Sequence, residues 1–329
     1  MKAIGIILAG GNNNRMKELT AKRAVPALPV AGSFRSIDFA LSSMSNSHIQ
    51  TVAVLTQYNA RSLNEHLSSS KWWNFGRKQG GLFLFTPTVT ADNSDWYRGT
   101  ADAMYQNIDF LKRRHEPYVI ISSGDCVYKL DFNRVLDFHI EKKSDITVVC
   151  KDMMYNDDVS RFGVVRMDDE SRITEFDEKP IEALSNTIST GIYVIRRRQL
   201  IELLEAAAEE NRFDFVNDIL VRYKNVKKIY GYKINSYWNN IADIDAYFKT
   251  NMDFLRPDIR SYFFREEPTI CSKVDDLPPA KFNPGSDISN SLVSSGCIIN
   301  GSVEDSVLFK QVFVGKNTTA VSYTHLTLP

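Results

Sequence analysis

The chain has 329 residues, 43% of them hydrophobic, and its 40 basic and 40 acidic side chains cancel. That length accommodates a full-sized α/β domain with a smaller companion. Balanced charge gives no global pull towards nucleic acid or an anionic surface, and no apolar run is long enough to span a bilayer, so neither is expected as a partner.

An apolar strand is predicted over Ala3–Leu8, running into Gly10, Gly11, Asn12, Asn13, Asn14 and Arg15. It ends in Gly-Gly-Asn rather than a small-residue cleavage site and reads as a strand, not a leader. Further strands are expected over Thr51–Thr56, Tyr118–Ser122, Asp145–Cys150, Phe162–Met167 and Ile192–Ile195. Apolar residues at helical spacing mark Ala101–Arg113, Asn133–Lys142, Gln199–Glu209 and Asp243–Leu255. This alternation predicts a mostly parallel, Rossmann-like sheet covered on both faces over residues 1–255. Pro257, Pro268, Pro278, Pro279 and Pro284 mark 256–286 as a linker. Over 287–322 aliphatics recur every five or six residues with glycine and serine between them, the texture of hexapeptide β-helix coils; a hairpin meander is the alternative. Residues 323–329 continue no period and read as a non-native tail; so few coils lack a cap, and the natural chain is expected to continue. The four cysteines, Cys126, Cys150, Cys271 and Cys297, lie far apart without a CxxC spacing, which suits reduced thiols and a cytoplasmic setting.

Four clusters carry chemistry. The Gly10–Arg15 loop turns at a strand end, where backbone N–H groups and a guanidinium fork meet anions, and it continues to Lys22-Arg23-Ala24-Val25-Pro26 and Phe34-Arg35. Trp96-Tyr97-Arg98-Gly99-Thr100 opens a helix, a second anion-friendly terminus. Asp125 lies directly beyond the strand at 118–122, placed to hold Mg²⁺ over phosphates. Phe176-Asp177-Glu178-Lys179-Pro180 follows the strand at 162–167. Each also has a plain structural reading: a tight turn at the glycines, a helix cap at Asp125, a solvated pair at Glu178–Lys179.

In this order the motifs resemble glucose-1-phosphate adenylyltransferase, also called ADP-glucose pyrophosphorylase. The residues that carry the resemblance are Leu-Ala-Gly-Gly-x-x-x-Arg, Phe-Arg-x-Ile-Asp-Phe-Ala-Leu-Ser, Leu-Thr-Gln-Tyr, Trp-Tyr-Arg-Gly-Thr-Ala-Asp-Ala, Ser-Gly-Asp, Phe-Gly-Val, Glu-Lys-Pro and Gly-Ile-Tyr-Val, with Asn-Ser-Leu-Val-Ser-Ser-Gly-Cys-Ile-Ile-Asn-Gly in the repeat region. The resemblance implies a nucleotidyltransferase domain, a left-handed β-helix and a tetramer that supplies ADP-glucose for glycogen. In the implied reaction the phosphate of glucose 1-phosphate attacks the α-phosphate of ATP and pyrophosphate leaves. It assigns Gly10, Gly11 and Arg15 to the triphosphate, and Gln57, Gly99 and Thr100 to the nucleotide. Asp125 becomes the metal-binding catalytic carboxylate. Tyr97, Gly163, Glu178, Lys179 and Ser189 fall to glucose 1-phosphate, and Lys22, Arg23 and Arg35 to a sugar-phosphate or nucleotide effector.

Three positions depart from the family pattern. Asn13 replaces a third loop glycine, Val25 replaces the lysine of Lys-Pro-Ala, and Trp-x-Asp-Val/Ile-Gly-Thr becomes Trp238-Asn239-Asn240-Ile241-Ala242-Asp243. The first two crowd or discharge a phosphate wall, and Asn240 puts an amide where a second Mg²⁺ carboxylate is expected. Such a chain is similar to the GlgD-type partner of a catalytic subunit, with weak or absent Mg²⁺ binding of its own. A competent transferase and a sugar-phosphate-binding scaffold are the alternatives.

Overall fold

The computed structural model describes residues 2–11, 14–76, 80–88, 96–154 and 157–325. In chain order the strands of the first part are β1 (Ala3–Ala9), β2 (Pro29–Val30), β3 (Phe34–Arg35), β4 (Thr51–Thr56), β5 (Gly81–Phe85), β6 (Tyr118–Ser123) and β7 (Cys126–Tyr128). Then come β8 (Ile146–Asp152), β9 (Gly163–Met167), β10 (Ile173–Glu178), β11 (Thr187–Arg196), β12 (Ile229–Lys233) and β13 (Trp238–Asn240).

Strands β5, β4, β1 and β6 run parallel side by side. Beyond β6 the sheet turns mixed: β11 is antiparallel to β6 and to β8, and β10 is antiparallel to β9. The parallel half is thus the half that carries the glycine loop. Period-two alternation assigns β1 to both layers. Ala3, Ile7 and Ala9 face the layer of helix Ser36–Asn46, while Ile4 and Ile6 face the layer that includes Leu200, Leu203 and Leu204 of helix Arg197–Glu209. Each buried isoleucine or leucine among them contributes about 1.5–3 kcal/mol. Gly5 shares the first face, and a Cβ there would lie 2.4 Å from the Met44 sulfur, so its missing side chain lets that helix close on the strand.

Two expected elements differ in detail. The helix read over 101–113 is broken at Asn107 into Thr100–Gln106 and Ile108–Lys112, because the Asn107 amide bonds back to the Ala103 carbonyl and to the Tyr97 hydroxyl. The linker read over 256–286 opens with helix Pro257–Phe264, since proline is tolerated in a first turn. Phe263 and Phe264 of that helix stack into an aromatic cluster with Phe34, Phe39 and Phe254.

After residue 280, three short parallel sheets stack coil on coil as a left-handed β-helix. One holds Lys281–Phe282, Ile298–Ile299 and Phe313–Val314; the second Asp287–Ser289, Ser302–Glu304 and Thr319–Val321. In the third, Leu292–Val293 and Val307–Leu308 are followed by Thr324–His325, which pair with Val307–Leu308. Cys297, Ile299, Val303, Leu308, Val312 and Val314 fill the coil interior. Among the described residues no helix is long and apolar enough to cross a membrane.

Candidate active site

Two cavities meet at Asp125 beyond the C-terminal ends of the parallel strands. The first, about 490 Å³, is lined by Gly10 and Gly11 after β1, Val25 and Pro26, Gln57 after β4, the 97–100 turn, Ala103, Ser123 and Asp125. The second, about 410 Å³, is lined by Arg15, Ser123, Asp125, Arg161, Gly163, Glu178, Lys179, Ser189 and Asn240, among others. This is the strand-end crevice where open α/β sheets place ligands.

The first cavity is poor in charge. A side chain at Gly11 would meet nothing within 4 Å, so the loop offers open backbone towards the cavity. Gln57 is held: its Oε1 accepts the Tyr97 N–H at 2.6 Å and its Nε2 donates to the Tyr97 carbonyl at 3.4 Å. It therefore positions the 97–100 turn. Tyr97 differs from expectation, because it lines this cavity rather than the second one and its hydroxyl accepts a hydrogen bond from the Asn107 amide. Burial raises the pKa of that hydroxyl. The helix terminus at Gly99–Thr100, expected to favour anions, lines this cavity and has backbone partners of its own. The Ala101 and Asp102 N–H groups donate to the Phe213 carbonyl, and a Cβ on Gly99 would lie 2.3 Å from that oxygen. Thr100 accepts the Phe215 N–H at 2.9 Å. Arg98, the one cationic side chain among the described residues lining this cavity, stacks on Phe213 and pairs with Asp102. Val25 is 5% exposed and packs with Met16, Leu28 and Phe39, so this wall is apolar.

Asp125 borders both cavities. Its Oδ1 accepts from the Ser123 hydroxyl and its carbonyl accepts the Ile241 N–H. The short β7–β13 pairing sets Asn240 opposite Cys126. The Asn240 Oδ1 accepts the Ala242 N–H at 3.0 Å and its amide donates towards the Cys126 sulfur at 3.4 Å. Burial, and then the charge of Asp125, push the Cys126 thiol pKa well up. Among the described residues no cluster of three His, Cys, Asp or Glu side chains is arranged to hold a metal ion. Asn13 lies outside the described residues.

The second cavity gathers Gly163, Glu178, Lys179 and Ser189 as expected together, and Arg15 joins them rather than the first cavity. Gly163 is required by close approach: a Cβ would lie 2.8 Å from the Phe176 ring and 2.9 Å from the Glu178 carboxylate. Lys179 has φ +51°, held by its N–H on the Phe162 carbonyl, and its ammonium pairs with Glu178 at 3.1 Å. Ser189 bonds the Tyr193 hydroxyl, whose pKa burial raises. Arg161 was not expected here. Its place two residues before Gly163 of the Phe-Gly-Val motif is the one sequence signal for it.

A third cavity, about 230 Å³, lies between the sheet domain and the coil and is lined by Arg23, Arg35, Glu65, His66, Lys273, Asp275, Phe309 and Lys310, among others. Arg35 donates to Ser62, and burial lowers the pKa of both arginines. Lys22, expected in this group, is exposed and does not line the cavity. Lys273 with Asp275, and Lys310, come from segments distant from the arginines, and nothing local in the sequence connects these three parts of the chain.

Residues 4–256 match the family Nucleotidyl transferase, and residues 278–324 match the family GlmU-like, C-terminal hexapeptide. Fold and strand-end crevice thus define a nucleotidyltransferase joined to a hexapeptide coil. The chain is 38% identical over 318 residues to a protein named glucose-1-phosphate adenylyltransferase in Clostridium novyi (strain NT), covering 96% of this chain and 83% of that one. Its namesake in Bacillus subtilis (strain 168) is 36% identical over 324 residues, 98% of this chain and 85% of that one. The chain belongs to the glucose-1-phosphate adenylyltransferase family.

Proposed function

We propose that this chain is a regulatory, GlgD-type subunit of a hetero-oligomeric glucose-1-phosphate adenylyltransferase, a tetramer working in the cytoplasm in glycogen synthesis. The oligomer converts ATP and glucose 1-phosphate to ADP-glucose and pyrophosphate. This chain binds glucose 1-phosphate in the second cavity and an anionic effector in the third, and its own turnover is weak or absent. The observation that carries the reading is the wall around Asp125. Val25 buries an aliphatic side chain against the glycine cavity, and the Asn240 amide oxygen is already engaged by the Ala242 N–H. A hard divalent cation prefers charged oxygens, and the pair of carboxylates that the resemblance implies is here reduced to Asp125 and an occupied amide, which weakens the hold on it. No step is therefore routed through Mg²⁺ in this subunit. Gly10, Gly11 and Gln57 keep the shape of a nucleotide cleft, and ATP seated there meets few cations. The retained Asp125, with Arg15 and Lys179 in the adjoining cavity, favours a competent transferase as the second reading.

Pyrophosphate release measured with ATP and glucose 1-phosphate tests the assignment. The isolated chain is expected to turn over very slowly and to change the rate of a catalytic subunit on mixing. The combined variant Asn13→Gly, Val25→Lys and Asn240→Asp is expected to gain activity at least tenfold, since one positioned charge is worth about a hundredfold in such sites. Ordinary turnover by the unaltered chain establishes the second reading instead.

A further inference from the structure

Phe162 suspends two cations over the second cavity. Its carbonyl accepts the Lys179 N–H at 3.0 Å, and its ring lies under the Arg161 guanidinium, 4.8 Å from centroid to carbon. Edge contact with Trp238 fixes that ring. Arg161 also forms the shared wall between this cavity and a neighbouring groove of about 1080 Å³, together with Arg15, Lys179 and Trp238. Its guanidinium pairs with Asp243, and the two side chains are 25% and 24% exposed. Asp243 is doubly employed, since its Oδ1 also accepts the Ala246 N–H and caps helix Ile244–Asp253.

From this juxtaposition we propose that Arg161 is a phosphate-binding side chain for a sugar 1-phosphate, and that Asp243 competes with the ligand for it. This rests on the second cavity being the sugar-phosphate site. A phosphate dianion offers the guanidinium a bidentate partner carrying more charge than one carboxylate. Binding therefore exchanges Asp243 for phosphate, and the lost ion pair weakens the observed affinity. Asp243 stays as the helix cap while its grip on Arg161 is released.

Isothermal titration of the full chain with glucose 1-phosphate, and with glucose as the uncharged control, tests the exchange. Asp243→Asn keeps a good capping acceptor and removes only the charge. It is expected to tighten glucose 1-phosphate binding about two- to fivefold, the range of a partly exposed ion pair. Arg161→Gln is expected to weaken binding about tenfold or more, and Arg161→Lys to fall between, because it keeps charge without the fork. With Arg161→Gln in place, Asp243→Asn is expected to add nothing, since the two act on one interaction. Glucose binding should be indifferent to all of them. Unchanged phosphate-sugar affinity in Asp243→Asn, or equal gain from it with and without Arg161, overturns the exchange while leaving the cavity assignment intact. If neither the unaltered chain nor Asp243→Asn binds glucose 1-phosphate, the cavity assignment falls and the exchange with it.

Discussion

The two cavities on either side of Asp125 are built from the same sheet yet differ in what holds them. The first is a backbone construction: glycines, a glutamine clamped on Tyr97, and a helix terminus spent on the Phe213 carbonyl. The second is a side-chain construction, with Arg15, Arg161 and Lys179 set against Glu178 and Asp125, and Asp243 holding Arg161 from the neighbouring groove. Backbone geometry survives substitution because many hydrogen bonds over-determine it, whereas charge rests on single residues. One wall can therefore lose its electrostatics while its shape persists.

The largest expected effect breaks both cavities together, through the sheet they share. His139 is 1% exposed; burial first, and then the charge of Arg196, push its pKa down to about 4. The fold therefore favours the neutral ring. This contribution is complete above the ordinary value near 6.5 and is lost as pH falls towards about 4, up to about 3 kcal/mol in all. Urea midpoints from pH 7 to 4 should show that slope, and His139→Gln should flatten it. Next comes the backbone wall alone. Gly99→Ala sets a Cβ against the Phe213 carbonyl and is expected to cost about 2 kcal/mol, read as a lower urea midpoint, with glucose 1-phosphate affinity retained. The smallest effect addresses the charged wall. Lys179→Ala is expected to weaken glucose 1-phosphate binding about tenfold in calorimetry while sparing an ATP analogue. Equal losses for both ligands would show that the cavities work as one.

Legibility in the sequence followed the range of the interactions. Thr51–Thr56 shows its full extent because a buried parallel strand is a near-continuous apolar run, here rich in β-branched residues. The three-residue pair β7–β13 is too short for any periodicity, yet it alone brings Asn240 beside Cys126 and Asp125. Gly163, Glu178, Lys179 and Ser189 were readable through their motifs. Tyr97 was grouped with the sugar-phosphate residues yet lines the first cavity, its ring in a core that no motif describes. Gly99 and Thr100 read as an anion-friendly terminus, and the carbonyl that takes two N–H groups of that turn, Phe213, is more than a hundred residues away in the chain. Arg161 and Asp243 meet only through the fold, as do Arg23 and Lys310.

The proline-rich stretch after helix Pro257–Phe264 is stitched down rather than slack. Ser42 and the Trp73 indole both donate to the Cys271 carbonyl, Cys271 returns its N–H to Ser42, and Asn46 donates to the Thr269 carbonyl. Melting the coil must therefore tug on helix Ser36–Asn46, which lies against β1. Heat should be taken up in a single cooperative transition, and a protease seeking a hinge there should find no loose thread until the whole garment comes undone.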